Sequence, residues 1–246
     1  MAFVLWRVPL RRRALRVPWA PLVVGAALLA AAAGLGALPV GSGLSAIHGV
    51  PTAPLAGIMV AVDPGHGGHD RGACHLPSGL VEKEINLDMA QRLERTLRAS
   101  GARVFLTRRD DTFLSLDARA QLANEQGADV FLSLHVNRYP SPECFGAQTF
   151  YLPGAPEGQR LARLIQEELR RVYPPNYRQA LPGNYRVLRG TRMPAALVEI
   201  GFVTSATDRA LLQRDDYREQ VAAAIVRGVI RFVQGESAGH PAQEDG

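Results

Sequence analysis

The chain has 246 residues, 47% of them hydrophobic, enough to bury one substantial core but hardly two. Its formal charge of +5 suggests a nucleic-acid partner until the charges are located. Arg7, Arg11, Arg12, Arg13 and Arg16 are the only Lys, Arg, Asp or Glu residues before Asp63; without them 23 basic side chains stand against 23 acidic ones, so the remainder has no net basic footprint and nucleic acid is excluded as a partner.

Those arginines fall in residues 1–16, ahead of a charge-free run of Ala, Leu, Val and Gly over residues 17–40. A helix of roughly 20 such residues crosses a bilayer, and arginine before it predicts an N-terminus inside and the rest outside. We read 17–40 as an anchor in the cytoplasmic membrane, with a signal sequence cleaved among the small residues near Leu35 to Ser45 as the alternative. Residues 41–57, rich in Gly, Ser, Pro and Ala, fit a linker, residues 58–234 one folded domain, and residues 235–246 a disordered tail. Cys74 and Cys144 have no CxxC spacing; in an exported chain they form either one disulfide or two free thiols.

From Ile58 to Val62 a short apolar run is followed by breakers, the pattern of a buried strand. Glu84 to Ser100 repeats apolar residues at Ile85, Met89, Leu93 and Leu97, an amphipathic helix that Gly101 ends. Ala102 to Leu106 reads as the next strand, and Thr107 to Asp111 as a solvated charged turn. A helix is expected over 115–125, then a strand from Val130 to Leu134. Gly146 to Tyr151 alternates like a strand, and 157–172 is helical until Pro174 and Pro175. We expect a surface loop over 177–183, a strand over 185–188 and another over 195–198. Ser205 and Asp208 have capping-box form, and a last helix runs from Asp215 to Gln234. Strands alternating with helices predict an α/β domain with helices on both faces of one sheet.

Three strands lead to chemically competent residues: Val62 to His66 in Asp63-Pro-Gly-His-Gly-Gly68, Leu134 to His135, and Val198 to Glu199. Glu82 lies just ahead of the first helix. Two imidazoles and a carboxylate, His66, His135 and Glu82, are the ligand set of a catalytic zinc site with an open position, and Glu199 would be its base. The bland reading of Glu199 is a buried acid paired with Arg108 or Arg192. His69 and His75 are weaker candidates for a further ligand, since exposed loop histidines are common.

The strings Val62-Asp-Pro-Gly-His-Gly-Gly68, Glu82-Lys-Glu-Ile-Asn-Leu87, Thr107-Arg108, Ser133-Leu-His-Val-Asn137 and Leu197-Val-Glu-Ile-Gly-Phe202 resemble, in order and spacing, the zinc-dependent N-acetylmuramoyl-L-alanine amidases, from about Ile58 to Val233. The resemblance implies a three-layer α/β/α domain around a mixed, mostly parallel sheet. It implies zinc on His66, Glu82 and His135, and Glu199 as the catalytic glutamate. It also implies peptidoglycan as substrate, cut at the amide between N-acetylmuramic acid and L-alanine outside the cytoplasmic membrane. Gly146 to Tyr151 and Tyr185 to Glu199 are most similar to the germination-specific amidases, which act in the forespore or spore cortex and are coupled to a muramic acid deacetylase that prepares muramic-δ-lactam. A wall-binding protein without turnover, and a zinc peptidase cutting within the stem peptide, are the competing readings.

Overall fold

The computed structural model describes residues 53–172 and 176–238. Its centre is a six-stranded sheet. In chain order the elements are β1 (Met59–Pro64), β2 (Cys74–His75), β3 (Leu80–Val81), α1 (Glu82–Ala99), β4 (Arg103–Leu106), α2 (Leu116–Glu125), β5 (Val130–Asn137), β6 (Gln148–Tyr151), α3 (Pro156–Val172), β7 (Leu181–Pro182), α4 (Arg186–Gly190), β8 (Ala195–Phe202), α5 (Ala206–Leu212) and α6 (Asp215–Val233). The large sheet runs β4-β1-β5-β8-β6-β7, and β2-β3 form a separate hairpin. All neighbours in the large sheet are parallel except β6 and β8, so the sheet is mixed and mostly parallel.

Side-chain parity sorts the strands into two cores. Val60, Val62, Leu132, Leu134, Ala196 and Val198 point to one face, against the apolar stripes of α1, α3 and α6. Met59, Ala61, Phe131, Ala195 and Leu197 point to the other, where α2 and α4 lie. Because both faces are covered, β1 and β8 are buried along their whole length and read as continuous apolar runs. The helices α3 and α6 approach closely at Gly228, where a Cβ would lie 2.6 Å from the Ile165 backbone.

From β1 the chain crosses by α1 on the first face to β4, then returns by α2 on the second face to β5 on β1's other side. That reversal makes a switch point between the carboxyl ends of β1 and β5, the place where open α/β sheets bind ligands.

Several local expectations are corrected. Residues 185–188 are not a strand: Val187 and Leu188 both bury into the α2-side core, which adjacent residues of a strand, pointing to opposite faces, do not do, and one turn of α4 does. Leu181 and Pro182, within the expected loop, pair with β6 as an exposed edge. Glu82 is the first residue of α1, not a residue ahead of it. Ser205 caps α5 by accepting from the Asp208 N–H, but the Asp208 carboxylate does not close the box; it turns to the N–H groups of Phe202 and Gly146, at 2.8 and 2.9 Å. Glu236, placed in the tail, is ion-paired to Arg231 at 2.8 Å. Leu55, at the end of the segment read as linker, is fully buried. Both cysteines are free thiols. The anchor expected over 17–40 lies outside the described residues, and among the described residues no helix is long and apolar enough to cross a membrane.

Candidate active site

His135 and Glu199 face each other across the parallel pair β5-β8, in direct register. Both lie inside their strands rather than beyond them, and parity sends both to the α2-side face. A bulge follows, between His135 and Asn137. His66 arrives from the loop after β1 and Glu82 from the first turn of α1.

The His66 loop is held by buried arginines. Arg119, 2% exposed, donates from α2 to the carbonyls of Pro64 and His66, both at 2.8 Å, and to Asp63 Oδ1 at 2.9 Å. Arg108 donates to the carbonyls of Pro64, Gly65 and Lys83 at 2.9, 3.0 and 2.8 Å. Asp63 is completed by the hydroxyls of Thr107 and Ser133. The 107–111 segment is therefore no simple solvated turn: Arg108 clamps the loop that carries His66. With this support His66 adopts φ +62°, a left-handed conformation that is costly for a residue with a Cβ. Gly65 has no Cβ because one there would sit 2.3 Å from the His135 ring.

His66, Glu82 and His135 each offer a ligand atom, all within 4.8 Å of one another. Glu82 Oε1 lies 3.1 Å from His66 Nε2 and 3.0 Å from His135 Nδ1. His66 Nδ1 donates to Asp70 Oδ2 at 2.8 Å, which fixes the ring and leaves Nε2 toward Glu82. The Glu82 carboxylate also accepts from the N–H groups of Ala73, at 2.6 Å, and Val136, at 3.0 Å. Burial alone would raise the Glu82 pKa, but hydrogen bonds and charge from the two histidines hold it far below the usual carboxylate range. Burial would lower the histidines; the hydrogen bond to Glu82, with Asp70, instead raises His66 to about 9, and Glu82 and Glu199 raise His135.

Glu199 is the opposite case. It is buried, its Oε2 has no hydrogen-bond partner, and burial pushes its carboxyl up to about 7, with the Glu82 charge adding to the rise and His135 opposing it. Neither Arg108 nor Arg192 pairs with it. The cleft above these groups has a volume of about 330 Å³ and is also lined by Gly72, Asn137 and Arg138.

The donor set fits zinc. Two imidazole nitrogens and a carboxylate oxygen converge at separations compatible with one small cation, and an unpartnered buried carboxylate stands beside them. His69 and His75 take no part: His69 packs against Phe113 with ring centroids 4.2 Å apart, and His75 bonds Ser78 at 2.8 Å. Asp70 and Arg119 are supporting residues that the pattern of the chain did not single out, and Arg108, part of the Thr107-Arg108 string, takes a part in holding the His66 loop that its sequence did not reveal. Only Asp70 left a local trace, as a carboxylate four residues after His66.

One carboxylate kept ionised among cation-binding groups and another kept protonatable beside them are suited to acid–base chemistry next to a bound cation. Residues 60–231 match the N-acetylmuramoyl-L-alanine amidase model, Amidase_3, and the chain belongs to that family. It is 35% identical over 195 residues to the germination-specific N-acetylmuramoyl-L-alanine amidase of Bacillus subtilis (strain 168), covering 73% of this chain and 81% of that one. It is 38% identical over 181 residues to the N-acetylmuramoyl-L-alanine amidase LytC of the same organism, covering 73% of this chain but only 36% of LytC. Among solved structures, the CwlD amidase from Clostridioides difficile, in complex with the GerS lipoprotein, superposes with a TM-score of 0.70 at 31% identity, covering 73% of this chain and all of that one.

Proposed function

We propose that this amidase is zinc-dependent and hydrolyses the amide between the lactyl carbonyl of N-acetylmuramic acid and L-alanine in peptidoglycan, with His66, Glu82 and His135 as zinc ligands and Glu199 as the catalytic acid–base. The observation that carries the assignment is the division of labour between the two glutamates. Glu82, saturated with donors, keeps the negative charge a cation needs. Zinc bound there supplies Lewis acidity that polarises the scissile carbonyl and makes water acidic enough to attack near neutral pH. Glu199 Oε2, free of partners, takes the proton from the attacking water and delivers it to the L-alanine nitrogen, which leaves as an amine. Asp70 holds the His66 ring, and Arg108 and Arg119 hold its backbone, so the ligands keep their directions through the cycle.

The test is mass spectrometry of peptidoglycan after incubation with the full chain, with zinc, with chelator, and as Glu199→Gln. Release of stem peptides with free L-alanine amines, lost in both controls, is the expected result. Cuts inside the peptide would indicate a peptidase, and unchanged peptidoglycan with zinc bound would indicate a wall-binding protein.

The match to a germination-specific amidase supports placing the chain in spore-cortex remodelling, at the outer face of the cytoplasmic membrane through residues 17–40. There its product would pass to a muramic acid deacetylase. Incubating cortex peptidoglycan with both enzymes should yield muramic-δ-lactam, and with either alone none.

A further inference from the structure

We infer that Arg138 is a specificity-determining residue, which binds a carboxylate of the stem peptide; this rests on the amidase reading above. Among the described residues it is the only lysine or arginine lining the catalytic cleft, in which it follows the β5 bulge directly after Asn137. Most arginines near the site are consumed by the scaffold: Arg108 and Arg119 spend their donors on carbonyls and Asp63. Arg138 is exposed and makes one bond, from Nη2 to the Cys74 carbonyl at 3.1 Å. No carboxylate of the described residues pairs with it.

The single bond has a geometric effect. Cys74 belongs to the hairpin β2-β3 on the Glu82 side of the cleft, whereas Arg138 comes from the end of β5. The tether therefore draws the guanidinium toward the hairpin and restricts its rotamers, leaving the other donors of its planar fork available. A fork with fixed direction and open donors is suited to a carboxylate, which it meets with two parallel bonds.

The substrate supplies such a group at the right range. An extended peptide advances about 3.3–3.6 Å per residue, so a carboxylate on the residue after L-alanine lies on the order of 7 Å from the scissile carbonyl. His66, Glu82, His135 and Arg138 line one and the same cleft of about 330 Å³, so a peptide whose scissile carbonyl lies at the three ligands carries that carboxylate along the cleft that Arg138 borders. The second residue of the stem is a glutamate linked through its side chain, whose α-carboxyl is free in some walls and a carboxamide in others. A guanidinium distinguishes the two by charge.

The test uses the zinc-loaded full chain on one preparation of sacculi, before and after carbodiimide-mediated amidation of its carboxyl groups, with new L-alanine amino termini counted against substrate concentration. The wild-type protein is expected to prefer the unmodified sacculi by on the order of 10-fold, mainly in KM, as removal of one charge-assisted pair implies. Arg138→Gln should bring the two substrates to the same KM, and Arg138→Lys, which keeps charge but not the fork, should restore part of the preference. Raised salt should weaken the wild-type preference and leave Arg138→Gln indifferent. A preference that survives in Arg138→Gln, or a wild-type protein that does not distinguish the substrates, overturns the proposal. If neither preparation is cut by the wild type, the amidase reading itself fails.

Discussion

The helix side and the strand side of the cleft each present a glutamate, and the two are almost equally buried, at 3% exposure for Glu82 and 8% for Glu199. Yet Glu82 is held ionised and Glu199 is raised to about 7. Burial cannot make the difference, since it raises both. Donors do: Glu82, at the start of α1, receives two backbone N–H groups and two imidazoles, while Glu199, in the middle of a strand whose backbone is engaged with its neighbours, keeps an oxygen with no partner. The same residue type is thus held charged, as a cation would require, or protonatable, as proton transfer would require, according to the element that delivers it.

The sharpest way to break that comparison is Glu199→Gln, which keeps shape and removes the titratable oxygen. Hydrolysis should fall roughly 10²–10⁴-fold with zinc still stoichiometric by elemental analysis; a variant that retains the wild-type rate would move the acid–base role elsewhere. Next, Asp70→Asn loosens the partner of His66 within its own loop. Zinc affinity, read by competition with a chromogenic chelator, should drop roughly 10–100-fold, and an unchanged affinity would remove Asp70 from the site.

Protons should compete with the metal, because an imidazole must be neutral to ligate and His66 holds its proton up to about 9 in the free protein. Apparent zinc affinity should therefore rise with pH up to about 9, by at most about tenfold per pH unit for each proton released, and flatten above. Calorimetry in two buffers of different ionisation enthalpy counts those protons; a count of zero would contradict the coupling.

The smallest effect belongs to a third carboxylate, far from the cleft. Glu168 on α3 pairs with Arg171, Arg227 and Arg231; burial opposes ionisation there, but the arginines hold its pKa below the usual value. A depressed folded pKa means stability that is present above the unfolded value of about 4.3 and is lost as pH falls through the folded one. Glu168→Gln should cost about 1 kcal/mol near neutral pH, since two of its partners are largely exposed, and should flatten that part of the acid limb in chemical denaturation. Equal acid sensitivity in both proteins would discount the cluster.

Much of this was legible in the chain. The continuous apolar runs of β1, β5 and β8 announced buried strands, and strand parity is enough to put His135 and Glu199 on one face once their register is known. The spacing of Ile85, Met89, Leu93 and Leu97 gave α1. What escaped were features set by contacts between distant segments. Arg119 looks like any helical arginine until α2 is packed beside the His66 loop, 53 residues away in sequence. Arg108 read as part of a solvated turn because its partners are backbone carbonyls, which carry no sequence signature. Val187 and Leu188, two adjacent apolar residues, do not fix a period, so their sequence does not separate a helical turn from a strand.

The left-handed backbone at His66 has one more consequence. Its unfavourable conformation is held by Arg108 and Arg119 through the carbonyls of Gly65 and His66 and not through any ligand atom, so we expect the cradle to persist without an ion. Removing zinc should then leave a folded protein that reloads without refolding, and its output would follow the zinc available to it from moment to moment, like a valve set by supply and not by the age of the molecule.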